Sequence, residues 1–135
     1  MKINYILYPQ LQTEEFIDIL NRSTLAQRRP VDDKVCIKGM LEHADVIIVA
    51  KIDEKIVGVA RSVTDFNYCC YLCDLAVDEA FQSRGIGKKL IEKTQEALNE
   101  KCKIILLSAP AAKEYYPKIG FTQHPSAWTL APIPN

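Results

Sequence analysis

The chain has 135 residues, of which 48% are hydrophobic and 25% are charged, and its 17 basic and 17 acidic side chains give a formal net charge of zero. This length predicts a single domain over residues 1–135, and the composition excludes intrinsic disorder, collagen-like repeats and a disulfide-dense miniprotein. A zero charge balance also argues against a general nucleic-acid binder, which normally carries a basic excess.

The hydrophobic pattern predicts strands and helices in the order β-α-α-β-β-β-α-β-α-β. Strand-like runs are short and rich in β-branched residues, whereas helical stretches space their apolar residues three or four apart. This order is typical of an α/β or α+β domain built around a mixed sheet. The predicted strands cover 2–8, 46–50, 56–60, 71–77, 104–107 and part of the tail after Gly120; the helices cover 13–20, 33–43, 86–98 and 111–118.

Several of these elements carry specific expectations. Residues 46–50 and 104–107 are apolar throughout, which is typical of strands buried on both faces. Thr13 is expected to cap the first helix, and Asp32 or Asp33 the second. Pro117 is expected to interrupt the last helix, and the single tryptophan in the tail to pack against the domain.

Targeting signals and cysteine pairing are not evident in the sequence. No apolar run reaches the roughly 18 residues of a membrane span, and residues 1–5 lack the apolar core of a signal peptide. A cytoplasmic protein that binds neither membrane nor nucleic acid is therefore expected. The cysteines are predicted to be free, buried thiols that pack as small hydrophobes, and no metal site is expected. They are Cys36, Cys69, Cys70, Cys73 and Cys102.

The segment that joins the strand at 71–77 to the helix at 86–98 carries the clearest chemical signal. A glycine-containing turn before a helix leaves backbone N–H groups unpaired, and with the helix dipole they form a site for a phosphate group. Gly85 and Gly87 allow the close approach of a ligand. Arg84, Lys88 and Lys89 place positive charge at the N-terminal end of the helix, where it opposes the helix dipole. A bound anionic ligand would offset this repulsion.

Two common phosphate motifs do not match this loop. A Walker A motif would need glycine at Gln82 and serine or threonine at Lys89, and a dinucleotide fingerprint would need glycine at Leu90. A nucleotide-binding protein of another fold is therefore disfavoured.

The spacing Gln82-x-x-Gly85-x-Gly87 resembles the acetyl-coenzyme A motif of the GNAT superfamily of N-acetyltransferases. A second segment, residues 115–121, resembles the Phe-Tyr-x-Lys-x-Gly-Phe sequence of that family and follows the strand at 104–107. The resemblance covers roughly residues 45–130 in element order.

The resemblance implies a single-domain GNAT fold with a mostly antiparallel mixed sheet flanked by helices. It also implies a splayed pair of parallel strands at the site of acetyl-CoA, the expected co-substrate. The matching tyrosine, Tyr116, would be the general acid that protonates the coenzyme A thiolate. The residues implied in coenzyme binding are Leu75, Ala76 and Val77 on the strand and Gln82, Ser83, Arg84, Gly85, Ile86, Gly87 and Lys88 in the loop.

Some positions depart from the family pattern. Ala109 stands where an asparagine often contacts the pantetheine arm, and Tyr71 stands where many members carry a catalytic glutamate. No side-chain base is therefore obvious, and either Asp74 or a chain of water molecules would deprotonate the amine. By parity along its strand, Asp74 is expected to share a face with Leu72 and Ala76.

The resemblance implies an enzyme that acetylates a primary amine by direct attack, on a small molecule or a peptide. An acetyl-CoA-binding module with weak or no turnover is the alternative, and association into a homodimer is left open. The sequence does not identify the acceptor. Candidate acceptor-binding residues are Arg28, Arg29, Arg61, Asp65, Tyr68, His124 and Trp128.

Overall fold

The structure, a computed structural model, describes residues 2–134. Within these residues one five-stranded sheet has helices on both faces, and its strands lie side by side in chain order. The strands are β1 (Asn4–Leu7), β2 (Val46–Ile52), β3 (Lys55–Thr64), β4 (Cys69–Val77) and β5 (Lys103–Ile105). The helices are α1 (Thr13–Ser23), α2 (Lys34–Glu42), α3 (Ile86–Glu96) and α4 (Tyr115–Lys118), with short 3₁₀ turns at Leu25–Arg28, Glu79–Phe81 and Pro110–Ala112.

The sheet is mixed, which confirms the predicted fold class. The first four strands pair antiparallel, and β5 pairs parallel to β4. The parallel pairing covers three residue pairs and stops at Tyr71 and Ile105. Beyond that point β4 continues for six more residues without a β5 partner. The two strands therefore separate and open a gap at the carboxyl end of β4.

Two hydrophobic clusters hold helices against opposite faces of the sheet. Residues of β2 alternate between them: Ile47 and Val49 face the cluster with α1 and α2, whereas Ile48 and Ala50 face the cluster with α3. The prediction of a strand buried on both faces is confirmed here. The helices α1, α2 and α3 each contribute an apolar stripe at helical spacing, with Phe16, Ile19, Leu20, Ile37 and Leu41 on one side of the sheet and Ile86, Leu90 and Ile91 on the other.

A β-bulge in β4 changes which side chains share a face. Arg61 of β3 pairs with Asp74, but the next residue of β3 pairs with Leu72, so Cys73 is an extra residue in β4. The extra residue reverses the alternation of side chains. Leu72 consequently packs on the α3 side of the sheet, whereas Ala76 packs on the α1 side. The parity that placed Leu72 with Asp74 and Ala76 was wrong for this reason.

The carboxyl-terminal part of the chain differs from its prediction. The β5 strand is three residues long. Ile105 and Leu107 are half exposed (51% and 52%) because they alternate with Ile104 and Leu106, which pack on the α3 cluster, and neither hydrophobic cluster covers the opposite face here. The expectation of a strand buried on both faces was wrong there. Residues 122–134 contain no strand, and Trp128 is 91% exposed, so the predicted tail strand and the packing of Trp128 are also wrong.

Helix termini follow the predicted signals in part. Asp33 caps α2 by accepting a hydrogen bond from the backbone N–H of Cys36 at 3.0 Å, as predicted. The N-cap of α1 is Gln12 instead of Thr13. Pro117 is the third residue of α4, in a first turn whose N–H groups have no helical partner, so the helix continues through it. The predicted helix is instead divided before Tyr115.

The cysteines are free, but their burial varies. Cys70 is buried as predicted, and Cys73 and Cys102 are partly buried. Cys36 and Cys69 are exposed, because one lies on the outer surface of α2 and the other at the start of β4. The prediction of buried thiols was wrong for these two.

Candidate functional site

A cleft of about 470 Å³ lies where β4 and β5 separate. Its walls come from the bulged part of β4, the chain that follows β5, the loop after α1 and the start of α4, so the splay of two strands creates the cavity. Lining residues are Leu25, Arg28, Arg29, Met40, Arg61, Tyr71, Leu72, Cys73, Asp74, Leu75, Leu106, Leu107, Ala109, Ala112 and Tyr116.

The loop that leaves β4 is fixed to the rest of the domain at its first residues. The buried carboxylate of Asp78 accepts hydrogen bonds from the backbone N–H of Ala80 (2.9 Å) and from the guanidinium of Arg22 on α1 (2.5 Å). Burial alone would raise the pKa of Asp78, but the Ala80 N–H and Arg22 outweigh it and lower that pKa. Further along, the side-chain amide of Gln82 donates to the carbonyl of Val77 at 3.2 Å. The loop is therefore anchored to both α1 and β4.

The same loop presents unpaired backbone N–H groups beside positive charge. Ser83 (φ 63°) and Gly85 (φ 79°) adopt left-handed conformations that turn the chain into α3. The N–H of Lys89 donates to the carbonyl of Gly85, so the helical bonding of α3 begins there and the preceding N–H groups have no helical acceptor. Neither Arg84 nor Lys88 forms an ion pair with any residue in 2–134. This arrangement is suited to an anionic group such as a pyrophosphate.

Position 87 needs a glycine because Tyr115 packs against it, a contact that the sequence did not indicate. A Cβ at this position would lie 2.7 Å from the hydroxyl oxygen of Tyr115. Burial raises the pKa of Tyr115, and the backbone N–H of Lys88, which faces the hydroxyl, partly opposes that rise. Tyr115 itself is half-buried, and its hydroxyl lies on the first turn of α3.

The edge of β4 that faces the gap includes the three strand residues expected to bind the coenzyme. Leu75, Ala76 and Val77 lie beyond the last residue of β4 that pairs with β5. Their other edge is paired with β3. An extended ligand could therefore add to this edge as a further strand does.

Tyr116 lines the cleft next to the loop. Its ring makes edge-to-face contacts with Tyr115 and Phe121, with ring centroids 5.3 Å apart in each pair. Burial raises the pKa of Tyr116, Tyr115 adds to the rise, and the nearby guanidinium of Arg29 opposes it. The phenol therefore stays protonated at neutral pH and could donate a proton into the cleft.

A buried charge cluster forms the floor of the cleft. Asp74 is 1% exposed, and its two carboxylate oxygens accept hydrogen bonds from Arg29 and Arg61. Arg29 also donates to the carbonyl of Cys73 at 2.9 Å, and Arg61 donates to the carbonyl of Met40 at 3.2 Å. Asp74 is thus a structural carboxylate that ties β4 to β3 and to the loop after α1.

The structure brings some of the predicted acceptor residues together. Arg28, Arg29 and Arg61 all line the cleft. Asp65 and Tyr68 lie in the turn between β3 and β4, where the Asp65 carboxylate accepts three backbone N–H bonds. His124 and Trp128 lie in the exposed tail, outside the cleft.

The sequence did not indicate Met40, Leu106 or Leu107 as cleft residues. The pairing of Asp74 with Arg61 could have been found, because opposite charges in adjacent apolar strands indicate a cross-strand ion pair.

Residues 2–134 contain no group of three or more His, Cys, Asp or Glu side chains placed to hold a metal ion. None of the helices in this range combines the length and the apolar character needed to cross a membrane.

Comparison with known families and proteins identifies related sequences. Residues 43–123 match the family model of the acetyltransferase (GNAT) domain. The chain is 32% identical to GCN5-related N-acetyltransferase 1, chloroplastic, from Arabidopsis thaliana, over 81% of the chain and 57% of that protein. It is 31% identical to histone acetyltransferase TAP1 from Glycine max, over 53% of the chain and 30% of that protein. The chain thus spans little more than half the length of the first relative and a smaller part of the second.

Solved structures share the fold over nearly the whole chain. A GNAT-family acetyltransferase from Streptococcus pneumoniae superposes with a TM-score of 0.71 at 20% identity, covering 96% of this chain and 98% of that one. The aminoglycoside N-acetyltransferase AAC(6')-Iy in complex with CoA superposes with a TM-score of 0.74 at 18% identity, covering 97% and 95%.

Proposed function

The chain belongs to the GNAT family of acetyltransferases, and on that premise we propose that it transfers the acetyl group of acetyl-CoA to a primary amine by direct attack. Bound acetyl-CoA would supply the thioester. The residues of this chain would hold it, exclude water from it and protonate the leaving group.

The loop and the free edge of β4 fit the coenzyme. The unpaired N–H groups and the unpaired cations Arg84 and Lys88 match the charge of a pyrophosphate. The edge of β4 offers backbone groups to an extended amide-containing arm. The residues that would hold it are Leu75, Ala76, Val77, Gln82, Ser83, Arg84, Gly85, Ile86, Gly87 and Lys88.

Tyr116 is proposed as the general acid. As the amine nitrogen forms a bond to the acetyl carbon, the carbon–sulfur bond breaks and the sulfur leaves with its electron pair. The Tyr116 O–H would donate a proton to that thiolate, whose conjugate acid has a pKa of about 8.5 by analogy with cysteine. The raised pKa of Tyr116 keeps the proton available at neutral pH.

Water is proposed as the base that accepts the proton from the attacking amine. Both oxygens of Asp74 accept hydrogen bonds from arginine side chains. The carboxylate would have to give up one of these hydrogen bonds before it could accept a proton. Tyr71, at the position where the family often has glutamate, has no basic group at neutral pH.

A covalent acetyl-enzyme is not part of the proposal, although Cys73 lines the cleft. Burial raises the pKa of the Cys73 thiol, with Arg61 only partly opposing the rise. A thiol with a raised pKa is a poor nucleophile at neutral pH, since the thiolate is the reactive form. Direct transfer in a ternary complex is therefore favoured.

The observation that carries this proposal is that Tyr116 lines the cleft and contacts Tyr115, whose hydroxyl lies against Gly87 in the anion-binding loop, residues 78–88. Release of free thiol from acetyl-CoA in the presence of amines tests it. Tyr116→Phe should lower kcat by about 10² to 10⁴ and leave acetyl-CoA affinity unchanged. Arg84→Glu reverses an exposed charge in the loop and should weaken acetyl-CoA binding at least tenfold, about 1.4 kcal/mol, in a folded protein.

Other results would contradict parts of the proposal. Wild-type turnover by Tyr116→Phe would remove the general-acid role. An acetyl adduct on the enzyme that the amine discharges would establish a covalent route. Binding of acetyl-CoA without turnover of any amine would favour the binding module.

The cytoplasmic location stays a prediction, since the Arabidopsis relative is described as chloroplastic.

A further inference from the structure

The residues that line the cleft carry an excess of positive charge. Three arginines, Arg28, Arg29 and Arg61, line it, and Asp74 is the one carboxylate among its lining residues. The lining therefore carries two more positive than negative charges at neutral pH, although the whole chain has a net charge of zero. A cleft with this imbalance attracts anions and repels cations.

The single carboxylate is not free to bind an incoming ammonium group. The Asp74 oxygens each accept a hydrogen bond from a guanidinium, one from Arg29 and one from Arg61. Removing either partner would leave a charge unpaired in a buried site, which is costly. The cleft consequently has no available acidic group with which to hold a polycationic acceptor.

Arg28 differs from the other two arginines. Arg29 and Arg61 are both fixed by Asp74 and by backbone carbonyls. The Arg28 side chain lies at the exposed rim, in the 3₁₀ turn after α1, and forms no ion pair with any residue that the structure describes. Its own carbonyl accepts a hydrogen bond from Arg29 at 2.8 Å, which fixes its backbone. Arg28 thus presents an unpaired guanidinium from a fixed position.

We propose that the acceptor is a small amine that also carries an anionic group, a carboxylate or a phosphate, and that Arg28 binds this group. The inference rests on the proposed acetyl transfer and names the substrate class for the same site. A guanidinium binds a carboxylate or phosphate through two parallel hydrogen bonds. Binding at the rim leaves the amine end of the molecule free to enter the cleft towards Tyr116.

Matched pairs of acceptors test the inference. Each pair differs in the anionic group alone: amino acids against their carboxamides, and O-phosphoethanolamine against ethanolamine. Spermidine and kanamycin serve as polycations. We expect kcat/KM to be at least tenfold higher for the anionic member of a pair. The pair with the larger ratio shows whether the site prefers a carboxylate or a phosphate.

Variants of Arg28 show whether this residue is responsible. Arg28→Ala should raise KM for the anionic member by about tenfold, leave kcat nearly unchanged and have no effect on the uncharged member. Arg28→Glu should reverse the preference within a pair. Lys101→Ala is the matched control, because it removes an exposed cation outside the cleft and should alter neither constant.

Binding measurements separate failure of the inference from failure of the proposed function. If acetyl-CoA does not bind in a direct titration, the proposed function is wrong. If it binds but the polycations are preferred, or if Arg28→Ala affects both members of a pair equally, the inference is wrong. Where no acceptor turns over, the N-acetylated products are titrated in the presence of CoA, and equal affinities for the acid and the amide overturn the inference.

Discussion

Gly87 and Tyr115 illustrate how two residues far apart in the sequence limit each other. The Tyr115 hydroxyl occupies the space that a Cβ at position 87 would need, 2.7 Å away. The nearest carbon of the Tyr115 ring, Cζ, is 3.6 Å from that Cβ position, which is an ordinary contact distance. The limit therefore comes from the hydroxyl group, and removal of one oxygen atom should lift it.

A double-mutant cycle tests this coupling. In the wild type, Gly87→Ala should gain up to about 1 kcal/mol of helix propensity, but its Cβ should push the Tyr115 hydroxyl out of place, at an overpacking cost of about 1–3 kcal/mol. With Tyr115→Phe that cost disappears. The free energy of unfolding, measured in urea, should therefore respond to Gly87→Ala at least about 1 kcal/mol more favourably in the Tyr115→Phe background. An identical response in both backgrounds would show that the two residues are independent.

At the scale of elements, α1 holds the start of the anion-binding loop. Arg22 near the end of α1 donates to the carbonyl of Ile56 on β3 at 2.7 Å and to the carboxylate of Asp78 at 2.5 Å. On its other side it pairs with the exposed Asp18. One arginine thus links a helix, a strand and the loop. Asp78 also accepts the N–H of Ala80, so its carboxylate fixes the first turn of that loop.

The stability contributed by Asp78 should depend on pH. Because the folded pKa of Asp78 lies below its usual value near 3.8, its stabilisation is fully present above that value and is lost as the pH falls through the folded pKa. Asp78→Asn should cost about 2 kcal/mol at pH 7. The difference from wild type should be constant above about pH 5 and should shrink below about pH 4.

Asp18→Asn is the matched control for that measurement, because it removes the other carboxylate that pairs with Arg22. Asp18 is exposed, so the loss should be less than about 0.5 kcal/mol. Chemical denaturation across this pH range gives both values. A difference between wild type and Asp78→Asn that persists unchanged at pH 2 would show that charge does not account for the stabilisation.

Elements with a strong local pattern could be predicted from the sequence. The β2 strand and α3 follow their hydrophobic periodicity because each packs a continuous apolar surface. The bulge at Cys73 could not be predicted, since it depends on how β3 and β4 pair and leaves no mark in composition. The exposure of Ile105 was missed for a related reason: an apolar run does not show whether other elements cover both faces of a strand.

The candidate site was predicted unevenly for the same reason. The loop residues 82–88 form one contiguous motif, so the sequence placed them together. The cleft depends on residues from five separate parts of the chain, and Arg61, Asp74 and Leu107 become neighbours only when the sheet forms. The contact between Tyr115 and Gly87 was missed because the two residues are 28 positions apart in the sequence.

The whole molecule has a net charge of zero, but two of its regions are positive. One is the loop with Arg84 and Lys88, and the other is the cleft with its arginines. Both lie at the gap where β4 and β5 separate. The balancing carboxylates lie elsewhere on the surface; Asp32, Glu54 and Glu100, for example, are exposed and form no ion pair with residues in 2–134. Anionic ligands would therefore be drawn to one end of the sheet.

The tail provides a test of the architecture as a whole, because Trp128 is the single tryptophan of the chain. Trp128, Leu130 and Ile133 are each more than 90% exposed, so the two hydrophobic clusters are complete without them. Tryptophan fluorescence of the folded protein should therefore resemble that of a hydrated indole and should be fully accessible to a neutral quencher. It should also change little on unfolding in urea, while circular dichroism reports the loss of the fold. Blue-shifted emission that moves to the red on dilution would contradict an exposed tail and would show that a second copy of the chain covers Trp128.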